Sequence, residues 1–161
     1  LCDALAMAVM DLRGFSRGRI KALHPGGSIG LRLSPIREIM HGHDQLPLVE
    51  PDAPMPDVIS TMTARGFGIA GVADRAGRLI GVITDGDIRR HFAELAHATA
   101  EKVMTPHPKL IDAAMLAEDA LHYMHESKIT CAFVIEEGAA VNAQVPVGII
   151  HIHDFHRLGL A

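Results

Sequence analysis

The sequence predicts an α/β fold made of two β-α-β-β-α units related by a pseudo-twofold axis. Three observations carry this: an internal repeat, the same succession of apolar periodicities in each copy, and an aliphatic composition. Ile39-Met40 returns as Val103-Met104, 64 residues later, and the stretch from Met55 to Met62 returns as Ala117 to Met124, 62 residues later. Gly81-Val82-Ile83 returns as Gly148-Ile149-Ile150 at an offset of 67, and Asp87 and Arg90 return as Asp154 and Arg157 at the same offset. Self-similarity at a fixed period marks a duplicated structural unit. The rise from 62 to 67 places five extra residues between Val134 and Gly148. Glu137-Gly138, Asn142 and Gln144 predict that they lengthen a hairpin loop, where insertions are tolerated.

Each copy reads alike. A short helix ends near the methionine, and a brief extended piece follows, Leu46 to Val49 or Lys109 to Ile111. A helix then begins near Asp52 and Pro54, proline being favoured in a first turn. Met55, Val58, Ile59 and Met62 form its buried face, and Gly66 supplies the stop. The β-rich runs Ile69 to Asp74 and Leu79 to Thr84 are joined by a turn at Arg75-Ala76-Gly77-Arg78, and a last helix starts after Thr84. Ahead of the repeats, Leu1, Leu5, Ala8, Val9 and Leu12 predict an amphipathic helix over 1–13 with Gly14 as its stop. His24-Pro25-Gly26-Gly27-Ser28-Ile29-Gly30 is read as a glycine-rich loop or linker, and Ser34-Pro35 opens the compact part.

Composition limits the function classes. Among 161 residues, 15 basic and 19 acidic side chains leave a net charge of −4, with 48% apolar and 21% charged residues. That is enough apolar material for a core and excludes intrinsic disorder. Basic residues are outnumbered and unclustered, which argues against a nucleic-acid polymer as partner. No apolar run reaches the roughly 18–20 residues of a membrane span. With no Trp, one Tyr and five Phe against eight Met, the core is expected to be aliphatic and methionine-rich, with Met55, Met62 and Met124 inside it. The start at Leu1 suggests a piece of a longer protein. Cys2 and Cys131, far apart and without CxxC spacing, together with the lack of a signal-like segment, point to a reducing cytoplasm.

The chemistry concentrates at Thr84-Asp85-Gly86-Asp87-Ile88-Arg89-Arg90. A strand running into a helix exposes N–H groups to an anion, and Thr84 adds a hydroxyl. Gly86 admits a ligand close to the backbone. Asp87 has the chemistry to accept hydrogen bonds from the vicinal hydroxyls of a ribose, with Arg89 and Arg90 as cations for phosphate or carboxylate. Thr84-x-x-Asp87 is equally a near capping box. In the second copy, His151 stands for Thr84 and Ile152 for Asp85 while Asp154 persists, which favours a role for the aspartate beyond capping. His151, His153, Asp154 and His156 invite a metal reading; the alternatives are polar surface or contact with an anion or sugar. Protonated His151 or His156 would replace the positive charge of Arg89. His41, His43 and His107 follow the short helices and read as solvated loops. Cys131 reads as a small buried core residue, and no nucleophile motif or P-loop is present.

This repeat resembles a tandem pair of cystathionine β-synthase (CBS) domains, which bind adenine and other nucleotides in a shared cleft. Leu1-Cys2-Asp3-Ala4-Leu5-Ala6, Arg13-Gly14-Phe15, His24-Pro25-Gly26-Gly27, Thr84 to Arg90 and His151-Ile152-His153-Asp154 together resemble the C-terminal part of bacterial D-arabinose 5-phosphate isomerases. The resemblance implies that 1–33 are the tail and linker of a sugar isomerase (SIS) domain, with one CBS domain over 36–96 and another over 99–161. His24 would match a histidine of the family's active site, stranded here without the rest of the catalytic parts, so the fragment is expected to be catalytically silent. Cys2 departs from the glycine usual in the family.

The ligand set expected from this resemblance is Met40, His41, Gly68, Ile69, Ala70, Thr84, Asp85, Asp87, Arg89 and Arg90 with Met104, Thr105, Thr130, Cys131, Ala132, His151, His153, Asp154 and Arg157. The effector would be an adenine nucleotide (AMP or ATP) or CMP-Kdo, the activated end product of the lipopolysaccharide sugar pathway that the isomerase begins. No cofactor is required and no metal is assigned. The SIS domain of the same polypeptide is the expected partner, and leftover apolar faces predict a homodimer. The other readings are a ligand-free oligomerisation module and a histidine-based metal sensor.

Overall fold

The computed structural model of the chain describes Val9 and residues 28–136 and 144–160. Apart from Val9, the predicted helix over 1–13 and its Gly14 stop lie outside the described residues. So do Cys2, the segment from His24 to Gly27, and Glu137, Gly138 and Asn142 of the predicted loop.

From residue 28 onward the first element is helix α1 (Ser28–Arg32), so the expected linker already turns helical at Ser28. A 3-10 turn (Ile36–Glu38), β1 (His41–Gly42), a second 3-10 turn (His43–Gln45) and β2 (Leu48–Val49) follow. Next come α2 (Met55–Arg65), β3 (Ile69–Ala73), β4 (Leu79–Thr84) and α3 (Asp85–Arg90). The second half runs α4 (Ala100–Val103), β5 (Thr105–Pro106), β6 (Leu110–Asp112), α5 (Ala117–Glu126), β7 (Cys131–Ile135), β8 (Pro146–His151) and α6 (Ile152–Arg157). The β7–β8 connection occupies 136–145 against 74–78 for β3–β4, so the extra residues do lie in the second hairpin.

Local chemistry explains the long helices. In α2, Met55, Val58 and Met62 are buried at helical spacing, while Ile59 is only half-buried. Pro56 suits the first turn, and Gly66 ends the helix at φ 73°, donating its N–H to the Met62 carbonyl at 2.9 Å. In α5 the buried face is Ala117, Ala120, Leu121 and Met124. There the left-handed residue after the helix is Lys128, at φ 54°. Its N–H meets the His125 carbonyl and the Ile129 N–H meets the Met124 carbonyl, each at 3.0 Å, so the helix closes as if a glycine were present.

The strands form two four-stranded sheets, ordered β1-β8-β7-β6 and β2-β3-β4-β5. Within each unit the central hairpin is antiparallel and the strand before the long helix is parallel: Leu48 faces Gly71 and Leu110 faces Phe133. The outer two-residue strands cross over. His41 pairs with Ile149 in the second unit, and Thr105 pairs with Val82 in the first. Sequence patterning did not reveal these strands, because two residues carry no period.

The exchange extends beyond the sheets. Ile36 and Arg37 donate their N–H groups to the carbonyls of Met115 and Ala113, each at 2.9 Å. Reciprocally, Ala100 and Glu101 donate to Ala53 and Pro51, also at 2.9 Å. Ile36 is fully buried in the core of the second unit with Ile111, Met124, Val134, Ile150 and Phe155. Ala98, Ala100 and Val103 complete the core of the first unit beside Met55, Val58, Met62, Val72 and Ile83. A third cluster (Leu46, Ile69, Leu79, Cys131, Phe133 and Ile149) joins the two sheets. The core is aliphatic and methionine-rich as expected, with Met55 and Met124 fully buried and Met62 nearly so.

Two methionines lock the exchange. Met40 lies over Gly148 of β8 and Met104 over Gly81 of β4, so closely that a Cβ on either glycine would overlap the thioether. At Gly148 the added carbon would also come within 2.8 Å of the His41 carbonyl, which is backbone and cannot swing aside. Gly148→Ala is therefore expected to lower unfolding stability by about 1–3 kcal/mol, and Gly81→Ala by less, because Met104 can rotate. Denaturant titration of both variants checks the order. By the same measurement Lys128→Gly, which relieves a left-handed lysine, should gain up to about 1 kcal/mol.

Candidate functional site

The two unit ends differ in what they leave open. An open cleft of about 920 Å³ lies between the repeats. The first repeat lines it with Gly68, Ile69, Thr84, Asp85, Asp87, Arg89 and Arg90, and the second with Thr105, Thr130, Cys131, His151 and His153, all expected positions. Met40, His41, Ala70, Met104, Ala132, Asp154 and Arg157 do not line it. The two methionines serve the interlock. His41, Asp154 and Arg157 form the pseudo-equivalent corner of the second unit.

Asp87 sits at the centre of its corner and is 3% exposed. Its Oδ2 accepts from the Thr84 N–H at 2.8 Å and the Thr84 hydroxyl at 2.6 Å. Its Oδ1 accepts from Arg90 and, at 3.1 Å, from the Thr105 hydroxyl. Thr84 and Asp87 also form a capping box. The capping and ligand readings thus share one carboxylate, whose oxygens are both occupied by the chain itself. Asp85 N–H is directed at the Gly68 carbonyl and Asp87 N–H at Thr84 Oγ1, so this one-and-a-half-turn helix has little left to offer an anion. Positive charge in the cleft comes from side chains instead.

The second corner repeats the design with different residues. Asp154 is 5% exposed and accepts from the His151 N–H at 2.8 Å, from His41 Nε2 at 3.0 Å and from Arg157. The Thr105 hydroxyl of one corner is thus replaced by the His41 imidazole of the other. His41 is further held by Gln45 Oε1, 2.9 Å from Nδ1, and by the edge of Phe67 with ring centres 5.0 Å apart. His41 is therefore no solvated loop residue.

The expectation that His151 stands in for a cation is corrected. His151 is itself the helix cap, its Nδ1 accepting from the His153 N–H at 3.1 Å. Asp154 therefore persists beside a working cap, and the cap with the His41 and Arg157 contacts accounts for its retention without a ligand. A cap acceptor must be unprotonated, and burial followed by the nearby His153 pushes the His151 pKa below its ordinary 6.5. His151 does not replace the charge of Arg89. β8 ends at His151 and His153 already belongs to α6; their rings meet edge-on, centres 4.6 Å apart. Among the described residues no three His, Cys, Asp or Glu side chains converge on a possible metal position. Cys131 is buried at the cleft wall, and burial with the charge of Asp154 pushes its thiol up to about 12, so it is no nucleophile.

Lys109, Lys128, Phe67, Ile129 and Phe133 also line the cleft and were absent from the expected set. His107, expected in a solvated loop, lines it too. The lysines occupy positions where the copies differ, so a search for what the copies share passes over them. Among the described residues no helix is long and apolar enough to cross a membrane.

Two crossed repeats around a nucleotide-sized cleft define a CBS pair. The CBS domain profile matches residues 36–94 and 100–160, and the chain belongs to the CBS domain family. It is 35% identical over 164 residues to the arabinose 5-phosphate isomerase KdsD of Pseudomonas aeruginosa, covering 99% of this chain and 49% of that protein, and it matches the C-terminal half of such isomerases. The chain spans about half the length of the curated relatives it matches. Its fold is similar to that of CBSX2 of Arabidopsis thaliana in complex with AMP, with TM-score 0.64 and 20% identity over 78% of this chain and 96% of that one. It is also similar to the CBS pair of MJ0100 in complex with 5′-methylthioadenosine and S-adenosyl-L-methionine, with TM-score 0.68 and 18% identity over 79% and 96%.

The titrating groups set the acid response. Burial opposes ionisation of Asp87, but its Thr84, Arg90 and Thr105 donors outweigh that and hold the carboxyl below its ordinary 3.8; Asp154 is likewise lowered, by His151, His41 and Arg157. A carboxyl lowered on folding stabilises the fold above its unfolded pKa, and that stability is lost as pH falls through the folded value. His151, lowered from 6.5, makes the unfolded chain the better proton binder, so stability begins to fall once pH drops below about 6.5. Unfolding stability measured from pH 8 to pH 3 should show both phases. His151→Asn, which keeps a cap oxygen, should remove the upper phase and leave the lower one.

Proposed function

We propose that this CBS pair is the effector-sensing module of an arabinose 5-phosphate isomerase. It binds a nucleotide-type effector in the cleft at Asp87 and acts on a SIS domain of the same polypeptide in the cytoplasm. The observation that carries this is a 920 Å³ cleft in an acidic chain that gathers Arg89, Arg90, Lys109 and Lys128 against only Asp85 and Asp87. Relatives of the same fold hold AMP and S-adenosyl-L-methionine, which supports an adenine nucleotide. CMP-Kdo, with a phosphate and a carboxylate, suits the same cations and would close a feedback loop. In the parent enzyme His24 would belong to the catalytic site.

The vicinal hydroxyls of a ribose would replace the Thr105 and Arg90 donors on Asp87 Oδ1, keeping the carboxylate satisfied while freeing Thr105. Because Thr105 belongs to the exchanged strand β5, occupancy would reach the contact between the repeats. An effector regulates only through unequal affinity for two states, and this exchange is where such a difference would arise.

Titration calorimetry with AMP, ATP, CMP and CMP-Kdo is the test. One of them should bind below millimolar and raise thermal stability, by about 2.7 kcal/mol at a hundredfold excess over Kd. Asp87→Ala should weaken that binding at least tenfold. If none binds below millimolar, the sensor reading fails. The assembly reading, which the 79% exposed Phe92 favours, then predicts stability that rises with protein concentration alone.

A further inference from the structure

The charges lining the cleft are not shared equally by the two repeats. At the 62-residue offset that aligns β2 with β6 and α2 with α5, Lys109 stands where the first repeat has Pro47, and Lys128 where it has Gly66. Both lysines line the cleft. Both differences add a cation to a pseudo-equivalent position that has none in the first repeat.

Lys128 holds its place against a conformational preference. It occupies the left-handed position after α5 at φ 54°, where its counterpart is a glycine at φ 73°. Left-handed backbone is disfavoured for residues with a Cβ, and lysine lacks the short polar side chain that helps Asn or Asp there. Lys109 is anchored beside it, its Nζ donating to the Ser127 carbonyl at 2.9 Å, one residue before Lys128. His107, also left-handed at φ 54°, lines the same wall. On the first repeat's side Arg90 is tied to the buried Asp87, whereas Lys128 makes no ion pair with a described carboxylate.

We propose that Lys109 and Lys128, with His107, form a second anion subsite on the wall of the second repeat. It takes a phosphate or carboxylate group of the effector other than the part held at Asp87. The inference rests on the cleft reading above and narrows it: the effector carries at least two separated features, a hydroxylated sugar for Asp87 and an anionic group for the lysines. A neutral nucleoside would engage the first and ignore the second.

Calorimetry with adenosine, ATP and pyrophosphate on the wild-type chain, a Lys109→Gln/Lys128→Gln variant and Lys128→Arg tests it, with circular dichroism melts to verify folding. Both lysines are exposed, so folding should survive. ATP and pyrophosphate should bind the double glutamine variant at least tenfold more weakly, adenosine should bind it unchanged, and Lys128→Arg should retain most of the anion affinity. Undiminished ATP and pyrophosphate binding in the double variant overturns the subsite. Equal wild-type affinity for adenosine and ATP also overturns it while leaving the nucleotide cleft intact. Pyrophosphate binding that depends on the lysines, with no adenosine or ATP binding, supports the subsite and removes the nucleotide reading; binding of none of the three removes both.

Discussion

Everything in this fold depends on the exchange of opening segments between the repeats. Neither unit owns a complete core. Ile36 fills the second, and Ala98, Ala100 and Val103 fill the first. Close approach of Met40 to Gly148 and of Met104 to Gly81 fixes how far each segment enters. A side chain at either glycine would hold the strands apart, and β1 and β5 would lose their ladder partners. Because packed interiors tolerate little change of volume, this contact also sets the width of the cleft between the units.

The exchange explains why a carboxylate lies buried at each corner. His41 and Thr105 follow directly from the interlocking methionines and reach Asp154 and Asp87 in the opposite unit. Each aspartate therefore serves its own helix cap and the contact between repeats at once. A buried carboxylate left without donors would cost several kcal/mol, so each corner holds its charge only while the exchange is in place. A ligand that brings its own hydroxyls can take over part of that duty without leaving the charge unsatisfied.

Much of the fold was legible because the relevant signals are local. Gly66 as a helix stop, Met55, Val58 and Met62 as an apolar face, and the Asp74–Arg78 turn all follow from backbone chemistry within a few residues. What stayed hidden is tertiary. β1 and β5 are two residues long and exist only through their partners in the other unit. His151 looks like an unsuitable cap in sequence, yet its Nδ1 reaches the His153 N–H once the strand ends there. At the site, Asp87 and its neighbours stood out because both copies share the pattern. Lys109 and Lys128 did not, since duplication highlights what is common while binding preference is written in what differs.

That principle bears on how the two corners divide their work. Symmetry of the backbone would make them equal, so their side chains must decide. At the Asp87 corner a ligand would displace the exposed Thr105 hydroxyl, whose hydrogen bond to a charged carboxylate has a net value of about 1.5–3 kcal/mol. At the Asp154 corner it must displace an imidazole held by the carboxylate, by Gln45 and by the edge of Phe67. The carboxylate bond is matched at the other corner, so the excess is the Gln45 hydrogen bond and the ring pair, each contributing about 0.5–1.5 kcal/mol. The difference, on the order of 2 kcal/mol, corresponds to roughly thirtyfold in affinity. The Asp87 corner is the one that opens onto the cleft and its cations, so entry would be easiest there. On the proposed reading the duplicated frame would thus become a directional one, with the first repeat presenting the carboxylate and the second a wall whose charges are cationic alone.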